Sequence, residues 1–354
     1  MQPTDTHTAV VVDDSHFMRT VIADVLESGG IDVVATAADG GEALSVVRRH
    51  RPDVVTMDVE MPAVGGLEAV SRIMEETPTP ILMLSAHTED DADVTFDAIE
   101  RGAVDFFTKP GGEVSTGMVR FEDQLLRKVR AVARSSVGSR STDAPDANTF
   151  PEMDATDHDA NPTLVVGAST GGPHAVESLL GALPITADFR VLVVQHMPDG
   201  FTERFAARLD RASAYAVSEA ADGMTLRGGE ATVAPGGAHL VVGGYRAGVL
   251  ELELSSSARR HGVRPAIDVT MESAASVVDD ALVAVVLTGM GSDGAAGIEC
   301  VHAAGGVTVA QDEATSPVFG MPRRAIETGC VDIVAPLAAI PRAVVENVTR
   351  EAAA

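Results

Sequence analysis

Residues 161–183 read NPTLVVGASTGGPHAVESLLGAL and place one serine at the corner between two elements of different type. The apolar run TLVVGA, residues 163–168, is typical of a buried strand, and the spacing of apolar residues after Pro173 is typical of a helix. Ser169 lies between them, followed by a pair of glycines. This arrangement allows two interpretations: a nucleophilic serine on a tight turn, or a glycine-rich loop that binds a phosphate.

The spacing Gly167-x-Ser169-x-Gly171 favours the nucleophile. Small residues on both sides of the serine permit the strained strand-to-helix turn that exposes a nucleophile, and the helix that follows favours negative charge at its start. A phosphate-binding loop would need a lysine after its glycines or the spacing GxGxxG. The loop around Ser169 has neither, and the chain has no lysine after Lys128. A tight turn without catalytic function remains the structural alternative.

Two further strand ends supply the partners that a serine nucleophile needs. The run RVLVVQHMP ends near His196, a candidate general base, and LVAVVLTG is followed by a glycine-rich loop whose carboxylate is Asp293. Because the carboxyl ends of parallel strands meet at one edge of a sheet, Ser169, His196 and Asp293 form a candidate triad in that chain order. His239 and His261 are alternative candidates for the base, but neither combines a strand end with a partner acid. These two histidines and His174, early on the helix that follows Ser169, are therefore assigned surface or structural roles. A His196–His239 metal pair is the less favoured alternative.

Strand and helix patterns alternate along most of the chain, which indicates two α/β domains. Five strand–helix units with continuous apolar strands come first, as expected for a parallel sheet covered on both faces. The stretch that follows is rich in Ser, Asp, Thr and Asn and is typical of a solvated linker. We therefore predict a first domain over residues 1–133, a flexible acidic linker over 134–161, and a second domain over 162–354.

Acids and a lysine follow the strands of the first domain. Asp13 and Asp14 end the first predicted strand, Asp58 the third and Ser85 the fourth, and Lys109 follows the fifth. Because clustered carboxylates repel one another, a hard cation such as Mg²⁺ is expected among them. Asp58 is the natural phosphoryl acceptor, with Lys109 and Ser85 as its charged and hydroxyl partners. Solvated acidic caps are the alternative, which the agreement of four strand ends disfavours.

Composition restricts the classes of partner. The net charge is −26, and of 26 basic residues only Lys109 and Lys128 are lysine, a surface that resembles those of proteins working in concentrated salt. The lack of a basic patch argues against nucleic-acid binding. Apolar runs stay below the roughly 20 residues of a membrane helix, and the start of the chain has no signal-peptide pattern, so we expect a cytoplasmic protein without membrane insertion. Cys300 and Cys330 are expected to be free, buried thiols.

The first domain resembles the response-regulator receiver family, over about residues 8–130. The segments that carry the resemblance are VVVDDS, VVTMDVEMPAVGGLEA, ILMLSA and GAVDFFTKP. It implies a flavodoxin-like, five-stranded parallel sheet, a Mg²⁺ site and a chemotaxis histidine kinase as phosphodonor. The residues implied are Asp58 as the phosphorylation site, Asp13, Asp14, Asp58 and the carbonyl of Glu60 as metal ligands, Ser85 and Lys109 as the phosphoryl-sensing pair, and Phe106 as the aromatic switch.

The second domain resembles the catalytic domain of chemotaxis protein-glutamate methylesterases, over about residues 160–350. The segments GASTGG, VQHMP, APGGAHL, RPAIDVTMESAA and LTGMGSDGAAG carry it. It implies a doubly wound α/β fold and hydrolysis of glutamate γ-methyl esters on chemoreceptors, with deamidation of receptor glutamines and no cofactor for the hydrolase. The roles implied are Ser169 as nucleophile, His196 as base, Asp293 as orienting acid, the Met290 backbone as oxyanion donor and Thr170 as its helper. Ala266 stands where the family usually has Ser or Thr.

Overall fold

The computed structural model describes residues 7–62, 64–85, 89–109, 118–135 and 161–351. It divides into two compact units, residues 1–140 and 141–354. Most of the predicted linker lies outside the described residues, so the predicted boundaries at 133 and 162 stay predictions. Among the helices of the described ranges, none combines the length and hydropathy that a bilayer span requires.

The first unit alternates strands with helices, as predicted. Its elements are β1 (Thr8–Val12), α1 (His16–Ser28), β2 (Asp32–Ala37), α2 (Gly40–His50), β3 (Val54–Asp58), α3 (Gly66–Glu76), β4 (Ile81–Ser85), α4 (Glu89–Glu100), β5 (Asp105–Thr108) and α5 (Met118–Ala133). The strands form one parallel sheet in the order β2-β1-β3-β4-β5. Strands β1, β3 and β4 are buried almost throughout, which explains their continuous apolar sequences. The predicted fold class of this unit is confirmed.

The second unit contains a larger parallel sheet. Its elements are β6 (Thr163–Ala168), α6 (Gly172–Ala182), β7 (Arg190–Gln195), α7 (Phe201–Ala212), β8 (Ala216–Glu219), β9 (Thr225–Leu226), β10 (Glu230–Val233), β11 (His239–Arg246), β12 (Val249–Ser255), α8 (Ile267–Val277), β13 (Leu282–Val286), α9 (Ala295–Ala303), β14 (Val307–Gln311), α10 (Met321–Glu327), β15 (Ile333–Ala335) and α11 (Ile340–Glu351). The sheet order is β15-β14-β13-β6-β7-β10-β8. The chain therefore runs outward in both directions from β6, and the strand order reverses beside it. The predicted doubly wound α/β class is confirmed.

Sequence analysis missed part of this unit. Strands β8 and β15 extend the two edges of the sheet, and β11, β12 and β9 form a separate antiparallel sheet. The edge strands are short and alternate between buried and exposed residues, so they lack the continuous apolar run that marks the central strands. Ala247 and Gly248, both at positive φ, make the two-residue turn between β11 and β12.

Both cysteines are free, as expected. Cys300 is nevertheless exposed, so the prediction of burial is wrong for this residue. It lies on α9 between the buried residues Ile298 and Val301 and therefore faces solvent. Helical periodicity, rather than residue type, determines its exposure.

A buried arginine lies at the amino end of the parallel sheet of the second unit. Arg190, the first residue of β7, is fully buried, and its Nη2 donates to both carboxylate oxygens of Asp280 at 2.8 and 2.7 Å. The guanidinium carbon also lies 4.8 Å from the ring centroid of Tyr245, whose hydroxyl donates to Asp280. A buried cation of this kind depends on its counter-ion, because the folded chain otherwise holds an uncompensated charge.

We predict that Asp280→Ala lowers the free energy of unfolding of the second unit by about 3–5 kcal/mol, because it strands the Arg190 charge. Asp279→Ala, at the exposed neighbouring residue, is the matched control and should change it by less than about 0.5 kcal/mol. Urea unfolding followed by tyrosine fluorescence measures this, since both tyrosines, Tyr215 and Tyr245, lie in the second unit and the chain has no tryptophan. Equal midpoints for the two variants would contradict the role of the ion pair.

Candidate active site

The three residues of the predicted triad follow three adjacent strands. Strand β6 pairs with β7 on one side and β13 on the other, and Ala168 is the register partner of Gln195. Ser169 and His196 therefore come one residue after paired strand ends, and the His196 N–H donates to the Ala168 carbonyl at 3.1 Å. Asp293 lies in the loop after β13. All three lie beyond the carboxyl ends of the strands, at the point where the strand order reverses, the usual place for a ligand site in an open parallel sheet.

The glycines after Ser169 are required by the turn itself. Gly171 adopts a left-handed conformation with φ of 74°. A Cβ on Gly172 would lie 2.8 Å from the Cβ of Ala168, closer than two such atoms can approach, so this position requires glycine. The Gln195 amide donates to the Ser169 carbonyl at 2.8 Å, and the Gly172 N–H donates to the same oxygen at 2.8 Å. These contacts hold the backbone of the serine beside the strand that carries His196.

The loop after β13 also approaches the serine. A Cβ on Gly289 would lie 2.8 Å from the Cβ of Ser169, which leaves glycine as the residue that fits. Met290, the predicted oxyanion donor, is the next residue after this close approach and is partly exposed. Thr170 is buried; its hydroxyl has no hydrogen-bond partner among the described residues, and its carbonyl accepts from the Thr288 hydroxyl at 2.9 Å.

Asp293 is the most fully bonded group of the site. Its Oδ2 lies 2.7 Å from His196 Nε2, and the same oxygen accepts the Ile267 N–H at 2.8 Å. Its Oδ1 accepts the N–H groups of Asp268 and Gly294, each at 3.0 Å. Burial raises the pKa of this carboxyl, but the hydrogen bond and charge of His196 and the two N–H groups of α8 outweigh burial and leave the pKa below its usual range. Asp293 is therefore held as an anion.

The bond to Asp293 uses the Nε2 atom of His196, so Nδ1 is the ring nitrogen that can accept a proton. Among the hydrogen bonds of the described residues, none joins the Ser169 hydroxyl to this ring. The structure thus joins the base to the acid and brings the nucleophile to the same edge. Bonds between nucleophile and base are often longer without substrate and tighten in the reacting complex.

Asp293 and Asp268 exchange helix-capping roles. Helix α8 begins after Ala266, which has no side-chain cap, and Asp293 binds its first N–H groups instead. Asp268, within α8, in turn accepts the Gly297 N–H at the start of α9 at 2.8 Å. Asp293 thus lies at the positive end of α8, and Asp268 lies at the positive end of α9. The sequence offers no local signal for this exchange, because each partner lies about 25 residues away.

The loop Gly289–Gly294 has the spacing GxGxxG between a strand and a helix, a spacing typical of dinucleotide-binding turns. In this structure the protein's own acids accept the N–H groups of that helix start, since Gly294 donates to Asp293 and Gly297 to Asp268. This loop therefore uses its helix-start N–H of Gly294 to bind the carboxylate of the predicted triad rather than a phosphate.

The other histidines separate into two kinds. His239 is buried, accepts the Ala266 N–H through Nδ1 at 3.1 Å and lies 3.2 Å from the Ala258 carbonyl, and burial lowers its pKa. This is the structural role expected for it. His261 differs, because its Nε2 lies 2.7 Å from Asp268 Oδ2. Sequence analysis did not assign His261 a partner acid, and the pair forms only through the tertiary structure.

The first unit gathers its predicted acids at the carboxyl ends of β1 and β3. Lys109 Nζ lies 2.7 Å from an oxygen of Asp13 and 2.7 Å from an oxygen of Asp58. Burial raises the pKa of Asp58 to about 6, although the hydrogen bond and charge of Lys109 oppose this. Burial lowers the pKa of Lys109, but its bonds to Asp13 and Asp58 outweigh burial and raise it. One ammonium thus compensates two buried carboxylates.

The same acids suit a hard divalent cation. One oxygen from each of Asp13, Asp14 and Asp58 lies within 4.8 Å of the others, and oxygen ligands are those that Mg²⁺ prefers. Asp14 is exposed, which leaves one side of the group open, and Glu60, two residues beyond Asp58, is also exposed. Sequence analysis missed Arg19, whose Nη1 donates to the carbonyls of Asp13 and Asp14 at 2.6 and 3.0 Å and holds this turn.

The predicted sensing residues lie on the neighbouring strands. Ser85 is buried at the end of β4, and its carbonyl accepts the Lys109 N–H at 2.7 Å. Phe106 is buried on β5, with its ring centroid 6.3 Å from that of Phe96. A second lysine, not predicted from sequence, reaches the same strand: Lys128 Nζ donates to the Phe106 carbonyl at 2.6 Å.

Comparison with known proteins agrees with these features. Residues 164–344 match the model of the CheB methylesterase family, and residues 9–115 match the response regulator receiver domain. A protein-glutamate methylesterase/protein-glutamine glutaminase of Haloarcula marismortui is 56% identical over 361 residues, covering 97% of this chain and 98% of that protein. One of Halobacterium salinarum is 55% identical over 342 residues, covering 97% and 99%.

A solved structure gives the same result for the second unit. The CheB methylesterase catalytic domain of Thermotoga maritima is 40% identical, covers 53% of this chain and 98% of its own, and superposes with a TM-score of 0.51. The family resemblance seen in the sequence is thereby confirmed, and the relatives include halophilic archaea. The chain belongs to the CheB methylesterase family and carries a response regulator receiver domain ahead of its methylesterase domain.

Proposed function

We propose that the second unit hydrolyses γ-methyl esters of glutamate in chemoreceptors, and deamidates receptor glutamines, through Ser169, His196 and Asp293. The observation that carries the proposal is the 2.7 Å contact between His196 and a buried, ionised Asp293, at the strand edge where Ser169 turns outward. The names of the relatives, protein-glutamate methylesterase/protein-glutamine glutaminase, support the substrate class. A cytoplasmic location follows as part of the same proposal.

The reaction proceeds by acyl transfer in two steps. His196 accepts the proton of the Ser169 hydroxyl through Nδ1, and the serine oxygen forms a bond to the ester carbonyl carbon. The ester C–O bond then breaks, and the methoxide takes the proton from His196 and leaves as methanol. A water molecule repeats the sequence on the acyl-enzyme, which releases the glutamate carboxylate and returns the proton to Ser169. From glutamine, the leaving group is ammonia.

The surrounding groups stabilise the charges that form. Asp293 stabilises the imidazolium of His196 and keeps the ring oriented, since the bond to His196 and the N–H groups of α8 outweigh burial and hold the pKa of Asp293 low. The Met290 N–H, with Thr170, stabilises the carbonyl oxygen as it becomes negative; each such donor lowers the barrier by about 3 kcal/mol. The proposed steps use only these side chains, the backbone and water, so the proposed hydrolysis needs no cofactor.

We further propose that the first unit is phosphorylated on Asp58 by a histidine kinase and thereby controls the hydrolase. Mg²⁺, when bound, neutralises charge on the incoming phosphoryl group, and Asp13, Asp14, Asp58 and the Glu60 carbonyl are the residues that would hold it. Lys109, now bonded to Asp58, provides a cation for the phosphoryl oxygens. Ser85 and Phe106 then respond to the modified Asp58, and this response changes the activity of the hydrolase.

Ser169→Ala should reduce methanol release from methylated chemoreceptor by at least about a thousandfold, because it removes the atom that forms the acyl bond. Ser178→Ala changes an exposed serine on α6 and serves as the matched control. Release is measured by gas chromatography at high salt. A Ser169→Ala protein that releases methanol as fast as the Ser178→Ala protein would exclude the proposed nucleophile.

Asp58→Asn should abolish the increase in methanol release that a small phosphodonor with Mg²⁺ causes in the unchanged protein, because the acceptor carboxylate is lost. The control is Asp24→Asn, at an exposed position of α1, which should retain the increase. Initial rates with and without phosphodonor give the comparison. An undiminished response in Asp58→Asn would place the phosphorylation site elsewhere.

A further inference from the structure

His261 occupies an unusual place in the backbone next to the triad. Arg260 and Val263 exchange two backbone hydrogen bonds, at 3.2 and 2.9 Å, so residues 261 and 262 form a two-residue turn. His261 has φ of 53° and Gly262 has φ of 80°. Turns with two left-handed central residues favour Asn-Gly, and histidine is one of the few side chains enriched in the left-handed conformation. The turn therefore accepts a histidine, and the contacts of its ring indicate its role.

The side chain of His261 contacts the buried acids directly. Nε2 lies 2.7 Å from Asp268 Oδ2 and 3.8 Å from Asp293 Oδ1. Asp268 is fully buried, and its other oxygen is taken by the Gly297 N–H. The Asp268 backbone N–H in turn donates to Asp293. A continuous chain of contacts thus runs from His261 through Asp268 and Asp293 to His196.

Asp268 depends on this contact more than on its other neighbours. Arg260 Nε lies 3.5 Å away, beyond a short ion pair, and the Nη1 atom of Arg260 is bonded to Glu272 at 2.6 Å. Without the imidazole, the buried Asp268 Oδ2 would keep only the longer Arg260 contact. A buried carboxylate that loses a donor moves toward water or another partner, because desolvation without a hydrogen bond is costly.

Given the proposed function, we propose that His261 is a positioning residue for the acyl transfer. By bonding Asp268, it holds the first turn of α8, whose N–H groups fix the carboxylate of Asp293 and, through it, the ring of His196. His261 does not touch the reacting atoms, and its imidazole acts only by holding Asp268. The left-handed conformation of His261 places its ring against Asp268.

The test is His261→Asn, which suits the turn but is too short to reach Asp268. Asn is favoured at this turn position, so the turn should keep its conformation although Asp268 loses a donor. The control is His302→Asn, since His302 also pairs with an acid, Asp332, at 3.4 Å, but lies at the end of α9. We expect kcat for methanol release to fall tenfold to a hundredfold in His261→Asn, with KM unchanged, and to stay unchanged in His302→Asn.

A second readout needs no turnover. The proton shared by His196 and Asp293 is expected to give a low-field NMR resonance, which should shift or broaden in His261→Asn and stay in place in His302→Asn. A raised KM with unchanged kcat would overturn the proposal, since it would make His261 a substrate contact. An unmoved resonance with unchanged kcat would overturn it as well. Failure of the proposed function is distinguishable, because the unchanged protein would then release no Ser169-dependent methanol.

Discussion

The exchange of caps between Asp293 and Asp268 is the interaction on which the candidate active site depends. Helices α8 and α9 each start without a cap from the preceding residue, and each receives a carboxylate from the other's segment. Breaking either bond leaves helix N–H groups and a buried carboxylate without partners. The stability of each helix start therefore depends on the acid of the other segment. The loop that carries Asp293 is thereby held beside Ser169 and His196.

Each unit has a buried aspartate beyond or at the carboxyl end of a strand, and the electrostatics of the two aspartates are opposite. Asp293 is surrounded by N–H donors and a histidine, so its pKa lies below the usual range and it stays charged. Asp58 has Lys109 and little else to offset burial and the nearby Asp13, so its pKa rises to about 6. A permanently charged acid suits the task of orienting a base. An acid with one shared cation suits a site where a metal and a phosphoryl group bring further charge.

Lysine use in this chain follows the same logic. Of the 26 basic residues of the sequence, only Lys109 and Lys128 are lysine, and both bond to buried groups of the first unit. Lys128 lies 2.6 Å from Asp105, and its Nζ lies 5.4 Å from the ring centroid of Phe106. A compact ammonium fits between closely spaced acceptors, where a planar guanidinium needs a wider approach. Arginine serves at the remaining basic positions, including the buried Arg190.

Much of this protein was predictable from sequence. Continuous apolar strands alternating with helices determined both parallel sheets, since such runs are stable only when both faces are covered. Residues at consecutive strand ends predicted which side chains meet, because parallel strands end at one edge; the approach of His196 to Asp293 and of Lys109 to Asp13 and Asp58 follows from this. The signal for β12, missed above, is the alternation LELEL, which is typical of a half-exposed strand.

Only the tertiary structure decided how those residues are supported. The capping of α8 by Asp293, the pairing of His261 with Asp268, and the bond of Lys128 to Phe106 join residues 7–25 positions apart, across separate elements or a turn. No local pattern encodes such contacts, because they depend on where whole helices and turns pack. Residue order along the chain determined the fold and the edge at which its chemistry gathers, whereas packing determined the charge state and orientation of each group there.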